Sequence, residues 1–194
     1  KSIYMITNLV EWDKKIVYFL YQSFYDIPFI QEVLWFLSSI EVYVLAILLW
    51  YYFLWALMRK DTKLLQFLFF SGMTIVIAFF LAQLLSSLFP FRSRPFVFLE
   101  ILPIIPHIDN TSFPSSHAIF FGVSIVVMMR WFFPLYQKII LIFLGGLMCL
   151  SRVIGGIHYP SDIFAWTIIW LFFGFVVFHV ISCTFSKFSS PYHP

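Results

Sequence analysis

The sequence predicts an all-α integral membrane bundle of five to six transmembrane helices, and three observations carry that prediction. Of 194 residues, 62% are hydrophobic and only 11% are charged; a soluble domain of this size has no volume in which to hide so much apolar surface. The apolar residues, 27 phenylalanines among them, fall into runs near the roughly 20 residues that a helix needs to cross a bilayer. The polar residues with chemical capacity gather in two connections instead of being spread along those runs. A net charge of +3 is too small and too scattered to argue for a nucleic-acid partner.

The first clean run covers residues 42–58 and the second 64–85, joined by the polar hairpin Arg59-Lys60-Asp61-Thr62-Lys63. Further spans are expected over 115–133, ended by Pro134, over 138–152 and over 163–183. Residues 1–194 read as a single membrane-embedded domain. Ahead of Glu41 the pattern is less regular: Gln22, Asp26 and Pro28 interrupt residues 16–30, and Gln31 and Glu32 open the next stretch. The 1–40 segment therefore reads as interfacial helices or as a sixth, broken span, with the interfacial reading preferred. Residues 1–13 are polar and do not resemble a cleavable signal peptide. Glu41 is expected at the interface with no special role, and Cys149 and Cys183 as small buried hydrophobes near opposite faces.

Tracing the spans puts the two polar connections, 86–114 and 153–161, on one face. Arg59, Lys60, Lys63, Arg130, Lys138 and Lys187 fall on the other. A lysine and arginine excess marks the cytoplasmic side, so the two connections are expected to face outward.

Three short sequences in this region carry chemistry: Arg94-Pro95, the stretch S-F-P-S-S-H-A ending at His117 and Ala118, and S-R-V-I-G-G-I-H-Y-P-S-D over residues 151–162. An arginine or aspartate near hydrocarbon normally has a partner or a function. Guanidinium forks match phosphate oxygens and stay charged. The sequence has no carboxylate pair suited to Mg²⁺ and no His/Cys cluster at zinc spacing, so no metal or other cofactor is expected. Pro114 and Pro160 stand where spans begin, which would aim the N–H groups of two helix starts at an anion. Two histidines in such a site suggest an attacking imidazole and a proton-donating one. Asp162, four residues after His158, is close enough to accept from its other ring nitrogen.

These motifs resemble the type 2 phosphatidic-acid phosphatase superfamily, whose signatures are K-x-x-x-x-x-x-R-P, P-S-G-H and S-R-x-x-x-x-x-H-x-x-x-D. The third is complete at Ser151, Arg152, His158 and Asp162. The second is met at Pro114, Ser115 and His117, with Ser116 in place of glycine; the first keeps Arg94 and Pro95, but Ser87 replaces the lysine. The resemblance implies a helical-bundle phosphatase with His158 as nucleophile, His117 as general acid and Asp162 as orienter. It implies phosphate contacts from Arg94, Arg152, Ser115 and the Ser116 N–H, with Arg92 a candidate substitute for the missing lysine. The stretches R-P-F-V and I-P-H-I-D-N-T-S-F-P-S-S-H-A are similar to the bacitracin-resistance type of undecaprenyl-diphosphate phosphatase. That implies hydrolysis of undecaprenyl diphosphate to undecaprenyl phosphate and inorganic phosphate through a phosphohistidine, in lipid-carrier recycling for peptidoglycan synthesis.

Other polar residues carry blander readings. His107 is equally a solvent-facing residue or a head-group contact, His179 a packing or interfacial residue, His193 a tail residue, and Glu100 and Asp109 solvated loop positions. The implied partners are a polyprenyl or phospholipid substrate and membrane lipids, with no nucleic acid. A glycerophospholipid or lipid A phosphatase shares the chemistry and is the near alternative. A transporter would place charges midway along the spans, whereas these gather at one face; a lipid-binding pseudoenzyme would not need both histidines and Asp162.

Overall fold

A computed structural model describes residues 2–88, 92–107, 112, 115–130 and 133–186. The readings of Pro114, Asp109, Lys187 and His193 lie outside the described residues, as does the side chain of Arg130. The described residues form α1 (Ser2–Phe24), α2 (Pro28–Leu37), α3 (Ile40–Arg59), α4 (Thr62–Leu88), α5 (Pro95–Phe98), α6 (Ser116–Arg130), α7 (Leu135–Ile154) and α8 (Pro160–Ser186).

Among the described residues, four stretches are long and apolar enough to cross a membrane: Pro28–Arg59, Thr62–Leu84, Leu135–Ile154 and Pro160–Val180. The fifth expected span is α6, whose apolar part, Ser116–Met129, is shorter. At 1.5 Å per residue its 15 residues measure about 22 Å, less than the roughly 30 Å of hydrocarbon. A short helix suffices here because α6 is central, packed against α4, α7 and α8. The α6–α8 approach depends on Gly122, where a Cβ would lie 2.8 Å from the Thr167 carbonyl; small residues of this kind let helices close in lipid, where apolar burial alone gives no drive. Trp166 and Trp170 fill the same interface, while Trp50, Phe53, Phe80 and Phe172 face outward, as lipid-facing residues do.

The 1–40 segment forms two helices, α1 and α2, with Pro28 in the first turn of α2. α1 packs on α7 and α8, and α2 on α7. Val17, Tyr21 and Asp13 are buried on the inner face of α1, and Tyr21 donates to the Leu102 carbonyl at 2.8 Å. The amphipathic character of the segment thus serves packing against protein.

Two expectations are corrected. Glu41 does not sit at an interface: it is fully buried, and Ser124 of α6 donates to its Oε1 at 2.6 Å. The helix start at Ile40 turns this side chain inward between α3, α6 and Gly145 of α7. Cys149 is buried, but Cys183 is exposed, on the outer surface of α8 beside His179. The His179 ring stacks on Phe175 with 9° between planes, a packing role on an exposed face.

Candidate active site

The site is assembled where the C-terminus of α7 meets the N-termini of α6 and α8. α7 ends at Gly155-Gly156, and Gly156 has φ +74°, a left-handed conformation that closes helices at low cost for glycine. The turn brings Ile157 N to the Arg152 carbonyl at 3.1 Å and His158 N to it at 3.3 Å. The loop carrying Arg94 is sewn onto this turn, with Phe96 N donating to the Gly156 carbonyl at 3.0 Å and Ile104 N to that of Gly155 at 3.2 Å. Arg94 Nη1 donates to the Ile157 carbonyl at 3.2 Å. These bonds fix Arg94 and His158 relative to one another before any ligand binds.

His158 is 3% exposed. Its Nδ1 lies 2.8 Å from the Ser112 carbonyl, and a carbonyl only accepts, so the proton is on Nδ1. Nε2 is left with its lone pair, 3.2 Å from Arg94 Nη1. Burial, and then the adjacent Arg94 guanidinium, hold the ring well below the ordinary histidine range, in its neutral form. On the other side of the site Arg152 Nη2 donates to His117 Nε2 and to the Ser38 carbonyl at 3.2 Å. Arg94 and His107 lie within electrostatic reach of His117. Ser115 is fully buried and caps α6, its Oγ accepting from Ala118 N at 3.4 Å; Ser116 Oγ stands 3.3 Å from His117 Nδ1. The structure therefore brings together Arg94, Arg152, Ser115, Ser116, His117 and His158.

Three expected contacts take other forms. Asp162 does not meet His158 directly; it accepts from Ser112 Oγ at 2.5 Å and Tyr159 N at 3.3 Å, one link removed from the ring. Its place in the first turn of α8 makes it the reciprocal half of a capping box, which turns its carboxylate back toward the helix start. The N-terminus of α8 is likewise occupied, because Ser161 N donates to Asp13 Oδ1 at 3.1 Å. Arg92 does not point into the cradle. Its Nη1 pairs with Asp13 at 2.9 Å and Asp162 at 3.4 Å, and its guanidinium lies 3.4 Å from the Tyr159 ring centroid. Two carboxylates hold it more strongly than an open anion site holds a solvated arginine. Ser87, at the position of the motif lysine, is exposed and bonds back to the Leu84 carbonyl.

Ser112 and Asp13 were not among the candidates from sequence. Ser112 meets His158 through its carbonyl, which every residue has; its hydroxyl, which donates to Asp162, is the one feature of residue type that marks it. Asp13 carried one faint signal, a carboxylate on a helix with an apolar face. Among the described residues no three His, Cys, Asp or Glu side chains are grouped to hold a metal ion. Positive charge at the site comes from the arginines.

The described helices thus place two buried arginines and two histidines at one end of an apolar helical bundle. Residues 67–185 match the PAP2 superfamily, and the chain belongs to it. It is 29% identical over 121 residues to the undecaprenyl-diphosphatase BcrC of Bacillus subtilis, covering 61% of this chain and 60% of that protein. It is 28% identical over 141 residues to the bacitracin transport permease protein BcrC of Bacillus licheniformis, covering 70% and 64%. It is also 29% identical over 119 residues to the putative undecaprenyl-diphosphatase YbjG of Escherichia coli, covering 61% and 56%. The matched region is thus less than two thirds of each relative's length. The fold is similar to that of a crystal structure of a transmembrane PAP2 type phosphatidylglycerolphosphate phosphatase from Bacillus subtilis, with a TM-score of 0.57, 18% identity, and 96% and 90% of the two chains covered.

Proposed function

We propose that the chain is a membrane lipid phosphatase that hydrolyses a polyprenyl diphosphate, undecaprenyl diphosphate in the first instance, to the monophosphate and inorganic phosphate. The observation that carries the reading is the fixed tautomer of His158: Nδ1 is spent on the Ser112 carbonyl, and Nε2 faces the arginine side of the site with its lone pair. Nε2 attacks the terminal phosphorus, and the bond to the bridging oxygen breaks. The developing charge is met by Arg94, Arg152 and the α6 amides, once both guanidiniums have turned from the histidine nitrogens on which they rest onto the phosphate oxygens. Proton transfer to the leaving oxygen falls to His117. In the resting site its Nε2 accepts from Arg152, so Arg152 must turn onto the phosphate before His117 carries a proton there. The phosphohistidine is then hydrolysed by water, with His117 as base.

The substrate class is supported by the names that two relatives carry, undecaprenyl-diphosphatases at 29% identity. With the site face outward, the reaction recycles a lipid carrier for peptidoglycan synthesis from the outer leaflet, and such turnover confers bacitracin resistance. The test is phosphate release by the purified protein, in EDTA, from undecaprenyl diphosphate, phosphatidylglycerol phosphate, phosphatidate and lipid A, with labelled protein trapped by an alkaline detergent quench. The expected result is preference for the polyprenyl diphosphate and an acid-labile, alkali-stable phosphoenzyme. No turnover of any of the four lipids, or turnover only after Mg²⁺ is restored, defeats it.

A further inference from the structure

Asp13 lies on α1, outside the stretch of residues 67–185 that matches the family, and is 3% exposed. A buried carboxylate is costly unless partners meet its oxygens. Asp13 Oδ2 accepts from Arg92 Nη1 at 2.9 Å and from Ser161 Oγ, and Oδ1 accepts from Ser161 N at 3.1 Å. α1 thereby caps α8 from another part of the chain. Arg92 is gripped by Asp13, by Asp162 and by the face of Tyr159, and its own carbonyl accepts from Ser112 N at 2.8 Å. Ser112 is thus held twice, through its backbone by Arg92 and through its hydroxyl by Asp162. The carbonyl of that same residue is the acceptor for His158 Nδ1. An unbroken set of contacts runs from α1 to the attacking ring.

A cleft of 560 Å³ lined by Lys14, Arg92, Phe98, Tyr159 and Asp162 lies beside these contacts. Its arginine is neutralised by Asp13 and Asp162, and Lys14 pairs with Glu11, so it is not a second phosphate cradle.

We propose that Asp13 and Arg92 are positioning residues of the reaction, fixing the tautomer and aim of His158 through Asp162 and Ser112. The proposal rests on His158 being the nucleophile. Neither residue touches the reacting atoms, and neither bonds to Arg94 or Arg152, so their loss acts on turnover and not on phosphate binding. Outer partners that orient a metal-bound histidine change activity by about 10–100-fold, and the same scale is expected for partners that orient an attacking one.

The experiment uses the full chain in lipid nanodiscs, with farnesyl diphosphate as the probe and the thermal midpoint measured in parallel. Asp13→Asn is expected to lower kcat by about 10–100-fold with KM unchanged, and Asp13→Glu to recover part of it. Because Asp13→Asn strands Arg92 beside one carboxylate, the neutral pair Asp13→Asn/Arg92→Gln keeps the test alive if the single variant does not fold. That pair is expected to lose no more than Arg92→Gln alone, since residues acting in one chain of contacts are not additive. A lowered midpoint with wild-type kcat, additive losses, or a loss carried by KM would each overturn the proposal. His158→Ala runs beside them. If it retains turnover, the nucleophile reading fails and the positioning role falls with it. If it is inactive while Asp13→Asn turns over at the wild-type rate, the positioning role alone is wrong.

Discussion

Arg94 Nη1 lies 3.2 Å from Nε2 of His158, on the lone pair proposed above to attack phosphorus. Arg152 Nη2 stands in the same relation to Nε2 of His117. Arginine only donates, so each guanidinium rests on the histidine nitrogen that the proposed reaction needs. In the proposed reaction, a phosphate entering between them would draw both forks onto its oxygens and free His158 Nε2 only when something is present to be attacked.

Vanadate, which takes the trigonal bipyramidal form of the transferred phosphorus, is therefore expected to inhibit. Arg94→Lys keeps the charge but loses the fork. It should weaken that inhibition about 10-fold or more, a charge-assisted hydrogen bond being worth roughly 1.5–3 kcal/mol. Equal inhibition of Arg94→Lys and the wild type would show that Arg94 does not turn onto the anion.

The neutral state of His158 has a stability consequence. Its ring is held well below the ordinary value of 6.5, first by burial and then by Arg94. Below about pH 6.5 the unfolded chain binds a proton there that the native chain refuses, so stability must fall as pH falls. The slope for one group is at most about 1.4 kcal/mol per pH unit, and there is none above the unfolded pKa. Denaturation midpoints in detergent across this range should show the slope, and His158→Gln should flatten it. An unchanged slope in the variant would assign it to other groups.

Much of this site was legible because its chemistry needs particular residue types at helix starts and ends. His117, His158, Arg94 and Arg152 stand in fixed register to α5, α6 and α7, and spacing alone brings them to one end of the bundle. Spacing does not say which partner an ionised side chain finds. Four residues from His158, Asp162 is near enough to bond it, yet the capping geometry of α8 gives its oxygens to Tyr159 N and Ser112. Arg92, two residues from Arg94, was indistinguishable from it by type; Asp13 on α1, together with Asp162 and the Tyr159 ring, explains why it turns the other way. The span pattern likewise placed a helix at α6 but could not show that a short one is enough at the centre of the bundle.

The close approach of α6 and α8 gives a test of packing. Gly122→Ala puts a Cβ 2.8 Å from the Thr167 carbonyl, so the helices must part. Overpacking of this kind costs about 1–3 kcal/mol. Gly146→Ala, where nothing lies within 4 Å, serves as the control on a neighbouring helix. Gly122→Ala should unfold at a clearly lower temperature in detergent than Gly146→Ala; equal midpoints would mean that the interface yields.

The proposed sidedness rests on the basic residues of the α3–α4 hairpin, Arg59, Lys60 and Lys63, since a lysine and arginine excess favours the cytoplasmic side. Glu100 is exposed on the loop joined to the site, and Thr62 lies in that hairpin. In intact cells an impermeant thiol reagent should label Glu100→Cys and spare Thr62→Cys, in a background lacking Cys183. Labelling of Thr62→Cys alone would turn the site to the cytoplasm and remove it from the outer leaflet.

The two histidines separate by what the leaving group demands. His158→Ala removes the attacking nitrogen, so no phosphoenzyme should form with any substrate. His117→Ala leaves attack possible and removes the proton donor, a contribution of about 10²–10⁴-fold. An aryl phosphate leaves as a stabilised phenolate and needs that proton less. His117→Ala should therefore regain much of its lost rate on the aryl phosphate, while His158→Ala stays inactive on both. Asp162→Asn should fall between them: it weakens the hold on Ser112 Oγ, so the carbonyl that fixes the His158 tautomer is less well placed, but the nucleophile remains. The comparison is made as the ratio of kcat/KM on aryl phosphate to that on the lipid diphosphate, which cancels differences in the amount of folded protein. Rescue of His158→Ala by the aryl phosphate, with none for His117→Ala, would reverse the two roles.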